Sequence, residues 1–232
     1  VFIDMGIFRG PNIVTDGLLF AYDAGSKRCY SGTGTSTTNI MGQSSPGTLQ
    51  NGVGFNTANG GFWEFDGVDD KIEVTTFPTQ VFNGPCTFES WVYWNDDTRS
   101  TILGNFDQGG GGHDINFEKV SGRNLRAYWD RGSINAFSGT NTVAIGEWQH
   151  VVMVRDVSGN AWKFYVNGAL ITSVSNAGSN IPTTGTTFRI GADSRNGDTV
   201  TNGNISIVRM YNQALTDEEV TQNYNAHKEK FI

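Results

Sequence analysis

Runs of four to nine residues rich in Val, Ile, Phe, Tyr and Trp recur along the chain, separated by clusters of Gly, Asn, Ser and Asp. Branched and aromatic side chains fit a half-buried pleated surface, and the intervening residues supply turns, so this rhythm predicts many short strands. Candidates are Gly17–Ala24, Phe62–Phe65, Lys71–Val74, Thr87–Trp94, Thr101–Asn105, Asp114–Glu118, Leu125–Trp129, Trp148–Arg155, Trp162–Val166, Ala169–Val174, Thr187–Ile190 and Asn204–Tyr211. The sharpest local signal is Asn167-Gly168 between Lys163–Val166 and Ala169–Ile171, because Asn-Gly supplies both positive φ angles of a type I′ hairpin turn. Only the C-terminus departs from the pattern. Thr216-Asp217-Glu218-Glu219 reads as a capping box, and Val220 with Tyr224 forms an apolar i, i+4 pair, so a helix is expected from about Asp217 to Ala226. Strands that do not alternate with helices exclude βαβ architectures and leave a two-layer antiparallel sandwich.

The 232 residues fall within the range of one all-β unit, and 37% hydrophobic with 12% aromatic residues supply a core. Sixteen basic against 23 acidic residues give a net charge of −7, with the basic residues scattered, which excludes a nucleic-acid or anionic-lipid partner. No run approaches the roughly 18 apolar residues of a membrane span, so no membrane insertion is expected. Val1–Gly6 has neither a basic n-region nor an apolar h-region, so any signal peptide is expected to be removed or never present. Residues 1–12 precede the first strand and read as an N-terminal arm to a domain spanning 13–232; Ser31–Thr38 and Gly109–Gly112 read as loops. Cys29 and Cys86 are too few for a disulfide scaffold and lack zinc or redox spacing; a bridge between them or two inert thiols both remain open.

The most enzyme-like constellation is Glu64-Phe65-Asp66-Gly67-Val68-Asp69, which approximates the Glu-x-Asp-x-x-Glu pattern of sandwich-fold retaining glucanases. Its third acid is shorter by one methylene, and Gly67 with Asp69-Asp70 reads as a turn whose carboxylates cap loop amides or touch a metal. Gly109–Gly112 lacks the Lys-Ser/Thr of a phosphate loop. His113, His150 and His227 have no ligand spacing, and His150 within Trp148–Val152 reads as a strand residue with a satisfied hydrogen bond. No catalytic activity is expected. Indole faces stack on sugar rings, so Trp94, Trp129 and Trp162, at strand ends beside polar loops, are candidate ligand platforms, with Asp96 and Asp97 as hydrogen-bonding partners. Trp91 and Trp148 read as packing residues. Asp23, Asp66, Asp69, Asp70, Asp96, Asp97, Asp193 and Asp198 suit calcium rather than zinc, against the plainer reading of solvated turn carboxylates.

Five blocks in order resemble the concanavalin A-like, laminin G-like jelly-roll domains: Gly17–Gly25, Phe65–Ile72, Thr87–Val92, Gly146–Val151 with Lys163–Gly168, and Gly203–Thr216. The resemblance implies an all-β jelly roll of two antiparallel sheets with one short C-terminal helix. It also implies Asp23 as the best single calcium ligand, although Ser206 stands where many relatives have an Asp, and Lys71 replaces a common Tyr. Tyr22–Gly25, Asn51–Gly61 and Gly203–Ser206 further resemble domains of tailed-phage structural proteins. The expected function is therefore a lectin-like adhesion module that binds a cell-surface glycan, set on a virion surface or secreted. The alternative is a purely structural virion protein, a capsid decoration or tail component, docked to other virion proteins through residues 1–12.

Overall fold

The computed structural model describes residues 11–42, 45–76, 78–105, 115–129, 133–181, 187–193 and 199–232. Sixteen strands are present among them: β1 (Leu18–Asp23), β2 (Ser36–Thr37), β3 (Gly47–Gln50), β4 (Gly54–Asn56), β5 (Phe62–Asp66), β6 (Lys71–Val74), β7 (Cys86–Trp94) and β8 (Ser100–Asn105). They continue as β9 (Ile115–Val120), β10 (Asn124–Trp129), β11 (Ile134–Phe137), β12 (Trp148–Asp156), β13 (Ala161–Val166), β14 (Ala169–Ser175), β15 (Phe188–Ile190) and β16 (Asn202–Tyr211). The helix α1 (Asp217–His227) follows.

Two antiparallel sheets of eight strands face each other, as expected. The first runs β14-β13-β12-β7-β16-β5-β4, and the second β11-β10-β9-β8-β15-β6-β3-β2. Long β16 pairs with β7 along one edge and, along the other, with β5 through residues 202–205 and with β1 through residues 207–211, which makes β1 the eighth strand of the first sheet. Strand alternation sends Phe88, Val92 and Trp94 of β7 inward to meet Ile115 and Phe117 of β9 and Leu125, Ala127 and Trp129 of β10 in one core.

The outer face of the first sheet is roofed by α1. Thr216 accepts from the Glu219 amide while Glu219 accepts from the Thr216 amide, so the capping box forms. The β13–β14 hairpin turns through Asn167 at φ 50° and Gly168 at φ 78°, and its tip meets Tyr224 of α1: a Cβ at position 168 would lie 3.0 Å from that ring. Beneath α1, Trp91 stacks on Tyr224 and on Phe231 at centroid distances of 5.7 and 4.3 Å. Residues 12–14 are fastened to the same helix, since Gln222 donates to the Asn12 carbonyl and Asn223 accepts from the Val14 amide.

Four strands escaped the sequence reading. Ser36–Thr37 lies within the expected loop Ser31–Thr38, and Gly47–Gln50, Gly54–Asn56 and Ile134–Phe137 are too short or too polar to signal themselves. Each is held by pairing to a longer neighbour. Residues 1–10 of the expected arm, Gly109–Gly112, His113 and Asp198 lie outside the described residues.

Candidate functional site

The face of the second sheet that turns away from the core carries the chemistry. Leu125, Ala127 and Trp129 of β10 point into the core, so Asn124, Arg126 and Tyr128 stand on the opposite side. Register then aligns Tyr128, Asn116, Gly104, Arg189, Glu73 and Thr48 in one row across six strands. An adjoining row joins Phe137, Arg126, Glu118 and Thr101. Every member is polar, aromatic or glycine.

Glu118 anchors this face. Its carboxylate is buried, and it accepts from Arg99 at 3.0 Å and from Arg126 at 2.5 Å. Arg126 in turn sits 5.1 Å from the ring centroid of Tyr128. Arg189 and Glu73 form a second pair at 3.3 Å on neighbouring strands. Gly104 leaves a gap between these pairs that the Asn116 amide leans across, since a Cβ there would meet Asn116 Oδ1 at 2.2 Å. Asn116 is buried, yet neither of its amide atoms has a hydrogen-bond partner. Such an orphan amide costs about 1–3 kcal/mol in a folded protein. Phe137 is 43% exposed at the β11 edge. Fixed guanidinium donors, carboxylate acceptors and an exposed ring are the groups that read a hydroxyl-rich ligand.

The three tryptophans expected as platforms are instead core residues. Trp94, Trp129 and Trp162 are all 0% exposed. Lys119 Nζ lies 5.8 Å from the Trp94 ring, the Arg155 guanidinium lies 4.5 Å from the Trp129 ring, and Trp162 packs edge-on against Trp129. Protein groups thus cover these rings, because strand alternation turns all three into the core between the sheets.

Asp96 and Asp97 lie in the β7–β8 connection next to Arg99. Asp96 braces that loop: it accepts from the amide and hydroxyl of Thr98, and from the Asn202 side chain at 2.6 Å. Burial pushes its carboxyl up, but these bonds and Lys119 hold it below the usual range. Asp97 stays exposed, 3.9 Å from Lys119 Nζ. Lys119 itself is buried and donates to the carbonyls of Asp96 and Thr98, and burial lowers its pKa.

Asp23 is a poor calcium ligand here. Its Oδ1 accepts from the Gly25 amide, and Lys230 Nζ lies 3.9 Å from Oδ2, where a metal would need to be. Ser206 donates to the Gly61 carbonyl. In the Glu64–Asp70 segment, Asp66 Oδ1 accepts from the amides of Val68 and Asp69, as a turn-capping residue does. His150 is a buried residue of β12, as expected, and its Nε2 stands 3.8 Å from Glu89 Oε2. Both cysteines are buried free thiols, and burial pushes the Cys86 thiol up to about 12.

The sequence reading missed Asn116, Glu118, Arg126, Tyr128 and Phe137. Alternation in Leu125-Arg126-Ala127-Tyr128-Trp129 held the signal: once Trp129 is assigned to the core, Arg126 and Tyr128 must face out.

Solved structures share this fold at low identity. Domain 4 of AbnA, a GH43 extracellular arabinanase from Geobacillus stearothermophilus complexed with arabinotriose, superposes with a TM-score of 0.70 at 19% identity, covering 89% of this chain and 98% of that one. Trypanosoma rangeli sialidase complexed with sialic acid gives 0.68 at 15% identity over 97% of this chain, which corresponds to only 36% of the sialidase. The binding domain of botulinum neurotoxin DC complexed with SialylT gives 0.68 at 13% identity, covering 91% of this chain and 52% of that chain. No curated protein matches in sequence. Residues 65–221, more than half of the sequence, match a single family, and the chain belongs to the concanavalin A-like lectin/glucanases superfamily.

Proposed function

We propose that the protein is a non-catalytic glycan-binding module whose ligand lies along the outer face of the second sheet. The observation that carries this is the register row across β10, β9, β8, β15, β6 and β3, which lines up Tyr128, Asn116, Gly104, Arg189, Glu73 and Thr48, with the unbonded Asn116 amide between Tyr128 and Gly104 and the Arg126–Glu118 pair in the adjoining row. Sugar hydroxyls both donate and accept, matching paired guanidinium and carboxylate groups that are already fixed in place. The three solved relatives carry sugar ligands in their complexes, which supports the class of ligand. Single-site binding would be weak and raised by presentation in several copies. A virion surface, or another extracellular setting, is the proposed location, on the strength of the phage-like motifs at Tyr22–Gly25 and Asn51–Gly61.

A glycan-array screen of the purified protein, with polysaccharide hydrolysis assayed in parallel, tests this reading. Reproducible hits lost in Arg126→Ala and Phe137→Ala, kept in Trp129→Phe, with no sugar released from any substrate, support it. An array without hits turns the weight to the second reading, a structural virion protein docked through its N-terminal arm.

A further inference from the structure

We propose a calcium site in the β5–β6 turn, formed by Asp66, Asp69 and Asp70. The turn crosses from one sheet to the other at one end of the sandwich. One carboxylate oxygen from each residue lies within 4.8 Å of the other two. Oxygens bound to one calcium ion at about 2.3–2.6 Å can be up to about 5 Å apart, so the spacing of these carboxylates is compatible with a shared ion.

The independent observation is Asp70. It is 3% exposed, and its Oδ2 accepts from the Asp66 amide, but its Oδ1 is buried without any hydrogen-bond partner. A buried carboxylate oxygen left bare is costly unless a proton or a cation completes it. No ion pair among the described residues involves Asp66, Asp69 or Asp70.

The site is preformed. Gly67 holds φ 78°, and a Cβ there would come 2.8 Å from the Asn202 Cβ. Asn51 donates to the Asp69 carbonyl at 2.8 Å, tying the turn to the β3–β4 connection. Donors that are all oxygen, with no imidazole or thiolate, favour calcium over transition metals. This site is separate from Asp23, whose place beside Lys230 disfavours a cation, and does not depend on the glycan reading.

Calcium titration by calorimetry, with thermal melts in about 10 mM calcium and in chelator, tests the site. The expected result is a Kd of about 0.1–1 mM and a melting temperature about 3–8 °C higher in calcium. Asp70→Asn alters a buried group and can impair folding, so the deciding variant is exposed Asp69→Asn. It should fold, melt alike in both buffers and lose the heat of binding, while Asp23→Asn keeps the wild-type response. No heat and identical melts for the wild type, or a calcium response that survives Asp69→Asn, overturns the proposal.

Discussion

Glu89 on β7 and Arg209 on β16 are directly paired in register and form an ion pair sealed between the first sheet and α1. Glu89 is fully buried and the Arg209 side chain is 4% exposed. Asn223 of α1 donates to the second Glu89 oxygen at 2.7 Å, and Arg209 also reaches His227 at 3.1 Å, so the pair is completed by the helix that covers it. Removing one partner leaves a buried uncompensated charge. Arg209→Met is expected to lower stability by about 3–5 kcal/mol in denaturant unfolding, while the paired change Glu89→Gln with Arg209→Met recovers part of the loss.

The same cluster sets the acid response. Arginine can only donate, so the neutral His227 ring accepts through Nε2 and carries its proton on Nδ1. Burial first, then the charges of Arg209 and Lys230, lower the His227 pKa to about 3. The unfolded chain therefore takes up this proton as pH falls from about 6.5, and the folded chain does not until about 3, so stability declines across that window. Glu89 adds to the decline: burial raises its pKa, but Arg209 and His150 outweigh burial and hold it at about 2, so its contribution is lost as pH falls from about 4.5 to 2. Thermal melts should fall steadily below pH 6, and His227→Gln should flatten the upper part of the curve. A wild-type melting temperature constant from pH 7 to 4 would refute this account.

At the start of α1, Thr216→Ala removes one side of the reciprocal cap and should cost about 1 kcal/mol. Chemical unfolding measures it. Because α1 covers the Glu89–Arg209 pair, amide exchange near residues 217–220 should rise more than elsewhere.

In the second sheet, Gly104→Ala would drive a Cβ into the Asn116 amide. Position 104 has no positive φ, so backbone strain plays no part and the effect comes from this contact alone. Glycan binding on the array should drop at least tenfold if the row is the binding face, with a stability loss of about 1–3 kcal/mol. Unchanged binding would move the site elsewhere.

Both thiols are expected to be silent in the native protein. Cys86 is fully buried with its pKa at about 12, and burial also raises that of Cys29. Aromatic disulfide reagent should label neither until denaturant unfolds the chain, and then both.

Local and ordered signals in the sequence determined the sheets, the Asn167-Gly168 hairpin and the capped helix at Thr216, because turn chemistry and capping act over a few residues. Tertiary pairing decided the short strands Ser36–Thr37 and Gly54–Asn56, which have too few apolar residues to reveal themselves. It also decided the site. Trp94, Trp129 and Trp162 carry the residue type that sugars favour, but type does not say which way a strand faces, and all three turned inward. Asn116, Gly104 and Arg189 are far apart in the chain and become neighbours only when β9, β8 and β15 pair in register. The sequence alone sets the composition of each strand, whereas the proposed binding face depends on the order and register of strands, which arise only when the sheet closes.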